Sequence, residues 1–327
     1  MSPSTHLSTS NRRQWLLRAG AILCLPTTLA ACYPNPLRLG SIVFTGYEPI
    51  FLARDKGWLP EQQVRLIELL SNTDTLRALA AERIEAAQLT LDEFLTARAE
   101  GLDLRILAVL DQSAGADAIV ARPGLHRNHS FKGLRVAVEE GAVGAVMLSA
   151  FLSAHGLAVT DVQKINMTLD QSVDLFHKGA ADLFVTAEPW ITQLEEIGGK
   201  RVFDSTEIPG RIVDVMVVLA NAIEPYRDAL HTLVAAHFKA LTFIREHPTE
   251  AAQLMAPRLQ ISPEQMTQAM NGLIQPDAAT SKAMMLPGSP LTEQITALQS
   301  LMLRNGLIST RPQAATVFEP RFHPATN

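Results

Sequence analysis

Apolar runs of strand length alternate with amphipathic helical stretches along most of this chain, and the alternation starts over once near its middle. Residues 37–44 read as a strand with Gly46 and Tyr47 at its end. A helix is expected over 48–59, with Pro49 early enough that its missing N–H costs little. A strand over 64–70 leads to Ser71-Asn72-Thr73-Asp74, which supplies capping side chains for a helix over 75–84. A short strand at 86–89, a helix from Thr90 to Glu100 closed by Gly101, and a strand at 104–110 end the first round. After Pro123 the pattern restarts, with strands at 134–138, 162–167 and 182–186, helices at 142–155 and 171–178, and another opening at Trp190. Residues 212–219 form a further apolar strand. Helices at 225–247, 248–256, 263–272 and 291–305 follow. The pattern predicts an α/β fold with open parallel or mixed sheets, helices on both faces, and a helical C-terminal segment.

The N-terminal segment reads as an address. Asn11-Arg12-Arg13-Gln14-Trp15-Leu16-Leu17 precedes an apolar stretch at 19–31, too short to span a bilayer core of ~30 Å. A basic region followed by a short apolar one is a secretory signal peptide, and the arginine pair resembles a twin-arginine signal. Leu29-Ala30-Ala31-Cys32 resembles a bacterial lipobox, which would make Cys32 the lipidated first residue of the mature chain. Residues 1–31 are then the signal peptide and 32–36, with Pro34 and Pro36, an anchor and tether. The expected location is the periplasm or outer cell surface, membrane-anchored through lipid on Cys32, with export by the twin-arginine route. Cleavage removes Arg12, Arg13 and Arg18, so basic residues fall from 28 to 25 against 33 acids and the net charge becomes -8. Cys24 leaves too, and no free thiol remains for nucleophilic or redox chemistry.

Composition and missing motifs exclude several functions. Hydrophobic residues make up 47% and charged residues 19%, which is a folded chain rather than a disordered one. A formal net charge of -5 argues against a nucleic-acid binder working through a general basic field. No G-x-S-x-G, H-E-x-x-H or P-loop occurs. His126 and His129 have no companions to complete a metal site, so neither a metal nor a cofactor is expected. Asp92 and Glu93 sit at a helix start, where they suit the helix dipole. The methionines of the helical tail, at helical spacing, read as core.

Five blocks in order carry a family resemblance: Ala53-Arg54-Asp55-Lys56-Gly57-Trp58-Leu59, residues 113–123, residues 131–141, Ala187-Glu188-Pro189-Trp190, and residues 208–215. The chain resembles the solute-binding lipoproteins of ABC importers for nitrate, aliphatic sulfonates, taurine and thiamine-type pyrimidines, over roughly residues 37–310. The resemblance implies a two-lobed periplasmic binding protein fold of the second type. Lobe 1 would comprise 37–117 plus 213–327, lobe 2 residues 118–212, with hinge strands near 115–120 and 211–217. It implies a monomer that hands a small polar solute, taurine- or sulfonate-like or aminopyrimidine-like, to a permease with a cytoplasmic ATPase, without catalysis. The competing readings are a thiamine-pyrimidine biosynthetic enzyme on the same fold, whose cysteine-rich motif the mature chain lacks, and a ligand-presenting sensor lipoprotein. The chain also departs from its relatives, with Glu82-Arg83-Ile84-Glu85 where Gly-x-x-Asp is common and Ala187 where Trp is common.

Open α/β sheets bind ligands beyond the carboxyl ends of their strands, and a pocket between lobes is the expected site. Gly141, Ala142, Val143 and Gly144 start a helix, which is either a plain turn or an anion seat of backbone N–H groups. Ser71, Asn72 and Thr73 either cap their helix or offer donors to a ligand. Glu188 either caps a helix or accepts from a ligand amine, and Trp190 either packs the lobe or stacks on a planar ligand. Asp214 interrupts an apolar strand and needs a partner if buried: a ligand cation, Arg211 or another protein group. Tyr47, Thr90 and Ser113 complete the candidate set.

Overall fold

The computed structural model describes residues 35–125, 129–140, 143–312 and 317–324. The segment expected to be a signal peptide, Cys32, His126, Gly141 and Ala142 lie outside the described residues. In chain order the first elements are β1 (Leu37–Ser41), α1 (Glu48–Asp55), β2 (Val64–Glu68), α2 (Asn72–Ala80), β3 (Ala86–Thr90), α3 (Leu91–Ala99) and β4 (Leu104–Ser113). The middle of the chain gives β5 (Asp117–Ala121), β6 (Arg135–Val138), α4 (Val143–Ala154), β7 (Gln163–Asn166), α5 (Ser172–His177), β8 (Leu183–Ala187), α6 (Trp190–Glu196) and β9 (Lys200–Asp204). Then follow β10 (Val213–Leu219), α7 (Arg227–Glu246), α8 (Pro248–Leu259), α9 (Pro263–Met270), β11 (Leu273–Ile274), α10 (Ala278–Met284) and α11 (Pro290–Arg304).

Two sheets result, ordered β11-β4-β10-β3-β1-β2 and β7-β6-β8-β5-β9. Both sheets are mixed, and β11 runs antiparallel to β4 at the edge of the first. β10 lies antiparallel between β3 and β4, and β5 antiparallel between β8 and β9. β3, β5, β8 and β10 are buried along their whole length, as expected of strands covered on both faces. One core packs Leu37, Ile50, Leu79, Phe94 and Leu233 around the first sheet. The second sheet has a core on each face, one built on Phe131, Phe151 and Phe203, the other on Phe176 and Phe184. Val146, Leu169, Ala187 and Trp190, from the second half, pack into the first core, so apolar contact is continuous between the halves.

Local chemistry sets the element boundaries. The first helix stops at Asp55 rather than 59 because the chain turns through Gly57 at φ +71°. α2 begins at Asn72, earlier than expected, because Ser71 Oγ accepts the Asp74 N–H at 3.1 Å. β9, at a sheet edge with only Val202 and Phe203 buried, has too polar a sequence to announce itself. The chain crosses between sheets at residues 114–116. Gly115 N donates to Ser205 Oγ at 2.7 Å, Arg201 Nη1 donates to Gly115 O at 3.0 Å, and Ala114 N donates to Gly272 O at 2.8 Å. Gly115 adopts φ +117°, where a side chain is strained. Among the described residues no helix is long and apolar enough to cross a membrane.

Candidate functional site

Two adjoining cavities of about 10 and 20 Å³ lie where the two halves meet, sharing Asn72, Asp117, Val143 and Leu169 in their walls. The topology explains their place. Tyr47, Asn72 and Thr90 sit at or just beyond the carboxyl ends of β1, β2 and β3, and Glu139 and Ala187 do the same for β6 and β8. Asp117 and Asp214 open β5 and β10, whose reversed direction brings their amino ends to the same edge. Each cavity has room for about one water. A larger cavity, about 590 Å³, lies elsewhere: an open groove beside α2 in which Arg77 pairs with Asp74 at 3.2 Å.

The walls are acidic and short of donors. Tyr47 Oη donates to Asp214 Oδ1 at 2.8 Å. Asp111 lies opposite Asp214 in the β4–β10 register, and the two carboxyls share a hydrogen bond, which needs a proton on one of them. Asn72 Oδ1 and Asp117 Oδ2 are buried without partners, whereas Thr90 bonds the carboxyls of Asp92 and Glu93. Burial pushes the Asp111 and Asp117 carboxyls up to about 7 and Asp92 up to about 6. Asp214 is raised well above the usual range by burial and then by the charge of Asp111; Glu93 is raised by burial and then by Asp92. Burial also raises Glu139. Its Oε1 accepts from Thr73 N at 3.2 Å and Thr73 Oγ1 at 3.1 Å, so a carboxylate from the second half caps the N-terminus of α2 in the first.

The structure thus brings Tyr47, Asn72, Thr90, Val143, Gly144 and Asp214 into the cavity walls. Ser71 and Trp190 line a neighbouring, mostly apolar hollow of about 50 Å³, where Trp190 packs against the first half. Thr73 is taken up by Glu139. Two candidates are taken up by protein partners. Ser113 Oγ is bonded to Ser205 Oγ at 2.8 Å and to the Asp117 carboxyl. Glu188 Oε2 accepts from Thr192 N at 3.1 Å and Thr192 Oγ1 at 2.8 Å, and Arg201 approaches its other oxygen at 3.8 Å. That carboxylate is satisfied within its own half, which corrects its reading as a ligand acceptor. Arg211 is exposed, and the partner Asp214 finds is Tyr47. Sequence reasoning missed Asp111, Asp117 and Glu139. The available signal was an acid at the end of an otherwise apolar strand, the same signal that singled out Asp214. No cluster of metal-ligating side chains occurs among the described residues.

Comparison with known proteins places this arrangement. A Bacillus subtilis (strain 168) protein, named for binding aliphatic sulfonates, is 23% identical over 219 residues, 63% of this chain and 65% of that protein. The matched segment therefore spans just under two thirds of that relative's length. Among solved structures, the alkanesulfonate-binding protein SsuA of Xanthomonas axonopodis pv. citri, bound to MOPS, superposes with a TM-score of 0.73 at 16% identity, covering 88% of this chain and 99% of that one. The periplasmic aliphatic sulphonate binding protein SsuA of Escherichia coli does so with a TM-score of 0.66 at 19% identity, covering 85% and 95%. The fold is that of periplasmic binding proteins. With residues 31–260 matching its profile, the chain belongs to the NMT1-like family.

Proposed function

We propose that this protein is a lipid-anchored extracytoplasmic solute-binding protein that delivers a small polar solute to an ABC permease and its cytoplasmic ATPase, with no catalytic step of its own. The observation that carries the reading is the cleft: the binding edges of two sheets face each other across cavities walled by both, with Glu139 reaching over to Thr73. Lobe 1 is residues 37–117 plus 213–327 and lobe 2 is residues 118–212, with the crossings near 115–120 and 211–217 as hinge. Closure around a ligand is a hinge motion of such lobes. The lipobox-like Leu29-Ala30-Ala31-Cys32 supports the anchor, and Arg12-Arg13 supports twin-arginine export.

A thermal-shift screen of taurine, alkanesulfonates, nitrate, bicarbonate, amines and aminopyrimidines tests the binding role. A ligand at 100 times its dissociation constant stabilises the folded state by roughly 2.7 kcal/mol. A screen in which no solute raises the melting temperature rejects the reading. Intact-mass analysis of membrane fractions tests the anchor: an acylated chain beginning at Cys32 is expected, and an unacylated chain beginning elsewhere refutes it.

A further inference from the structure

The cleft has two kinds of seat, and they are in opposite states. The first is the N-terminus of α2, where free N–H groups and the helix dipole favour an anion. It is already filled. Glu139 puts a carboxylate oxygen on Thr73 N and Thr73 Oγ1, in the geometry an incoming sulfonate oxygen would need. An anionic solute must displace a negative charge that the chain supplies itself.

The second seat is the wall formed by Asn72, Thr90, Asp117 and Asp214. These residues are 2%, 5%, 4% and 1% exposed. Thr90 bonds the carboxyls of Asp92 and Glu93, and Asp214 bonds Tyr47 and the Asp111 carboxyl. Asn72 Oδ1 and Asp117 Oδ2 have no hydrogen-bond partner. An amide carbonyl and an ionised carboxylate are acceptors. The Asn72 amide is neutral, so its unsatisfied oxygen does not follow from the acids around it and independently calls for a donor in the cavity. No Lys, Arg or His lines either cavity among the described residues. A buried carboxylate without a partner is unfavourable, and a ligand carrying N–H donors or positive charge removes that penalty. A sulfonate brings only further acceptors and like charge.

We propose that the cleft selects solutes with a cationic or N–H-rich head, of the ammonium, amidine or aminopyrimidine type, and turns away aliphatic sulfonates. This rests on the solute-binding reading and departs from the ligands named for the similar proteins. Asp117 and Asp214 grip the head, Asn72 and Thr90 complete its shell, and Glu139 holds the anion seat closed.

Calorimetry on the mature chain with four probes tests it: ethylammonium, 4-aminopyrimidine, taurine and ethanesulfonate. One of the first two is expected to bind best, taurine more weakly, and ethanesulfonate not measurably. Asp117→Asn and Asp214→Asn should each weaken the better amine probe at least about tenfold, the scale of one lost charge-assisted bond. Two variants are used so that a folding failure in one leaves the other to decide. Ethanesulfonate binding as tightly as either amine overturns the inference, as does unchanged amine affinity in a folded variant. Both outcomes leave the solute-binding reading standing. That reading falls only if the wider thermal-shift screen is silent, and this inference then falls with it.

Discussion

Asp117 is a residue whose burial is set against stability. Its carboxyl is pushed up to about 7 by burial, against 3.8 for an unhindered aspartate. The folded state therefore holds the proton more tightly than the unfolded chain does. Its favourable contribution is complete below about pH 4 and is lost as pH rises through about 7, at about 1.4 kcal/mol for each pH unit between the two values. Asp117→Asn is expected to stabilise the ligand-free protein by roughly 4 kcal/mol at about pH 8 and to do little at about pH 4. Urea unfolding at the two pH values checks this, and an equal effect at both rejects it. His237 works in the opposite sense. It is fully buried beside Phe238, both ring nitrogens lack partners, and burial lowers its pKa to about 3. A depressed base contributes stability above its ordinary value of about 6.5 that is lost as pH falls toward the folded value. His237→Phe should therefore resist unfolding better than the parent at about pH 5, with little difference at about pH 8. A variant that unfolds earlier than the parent at both values contradicts this.

At the scale of elements, the crossings between sheets depend on close backbone contact. A Cβ at Gly272 would stand 2.9 Å from Ala116 N and 3.2 Å from the Gly115 carbonyl carbon, and both neighbours are backbone with no side chain to swing aside. Gly272→Ala should destabilise the fold by about 1–3 kcal/mol through overpacking, read as a lower urea midpoint with an unchanged slope. A midpoint equal to the parent's means the segment yields freely. Much of the element pattern was legible in the sequence, because β3, β8 and β10 are mostly apolar and their helices carry visible caps. β9 was not, since Lys200, Arg201 and Asp204 read as loop until an edge position pairs them with β5. The site was half legible for a related reason. Strand ends point to the cleft residues, so Tyr47, Asn72, Thr90 and Asp214 could be named. Whether an acid there faces the cavity or a neighbour depends on tertiary placement. Glu188 is satisfied by Thr192 one helical turn on, whereas Asp111 and Asp117 depend on strand register across sheets that sequence spacing alone does not reveal.

For the molecule as a whole, the balance between open and closed forms follows from what bridges the halves. Closed contacts are few and distinct. Glu139 holds Thr73, Asn305 Nδ2 donates to Ser149 Oγ at 2.7 Å, Gln265 Nε2 donates to Glu196, and Trp190 with Leu169 packs against the first core. The Glu139 bonds are the most sheltered of the polar ones and involve a charged acceptor. Bonds of that kind are worth about 1.5–3 kcal/mol, a factor of roughly 10–100 in a two-state ratio. They exist only when the halves are together, so removing them shifts the population toward the open form without touching either core. Glu139→Ala should raise the radius of gyration of the ligand-free protein in solution scattering. A solute that binds to both halves should still draw it back to the parent's value, because the hinge is intact and the ligand supplies the missing bridge. Identical ligand-free scattering for variant and parent would show that apolar packing around Trp190 and Leu169 holds the cleft shut without Glu139. Trp190→Ala, measured in the same way, would then be the variant that opens.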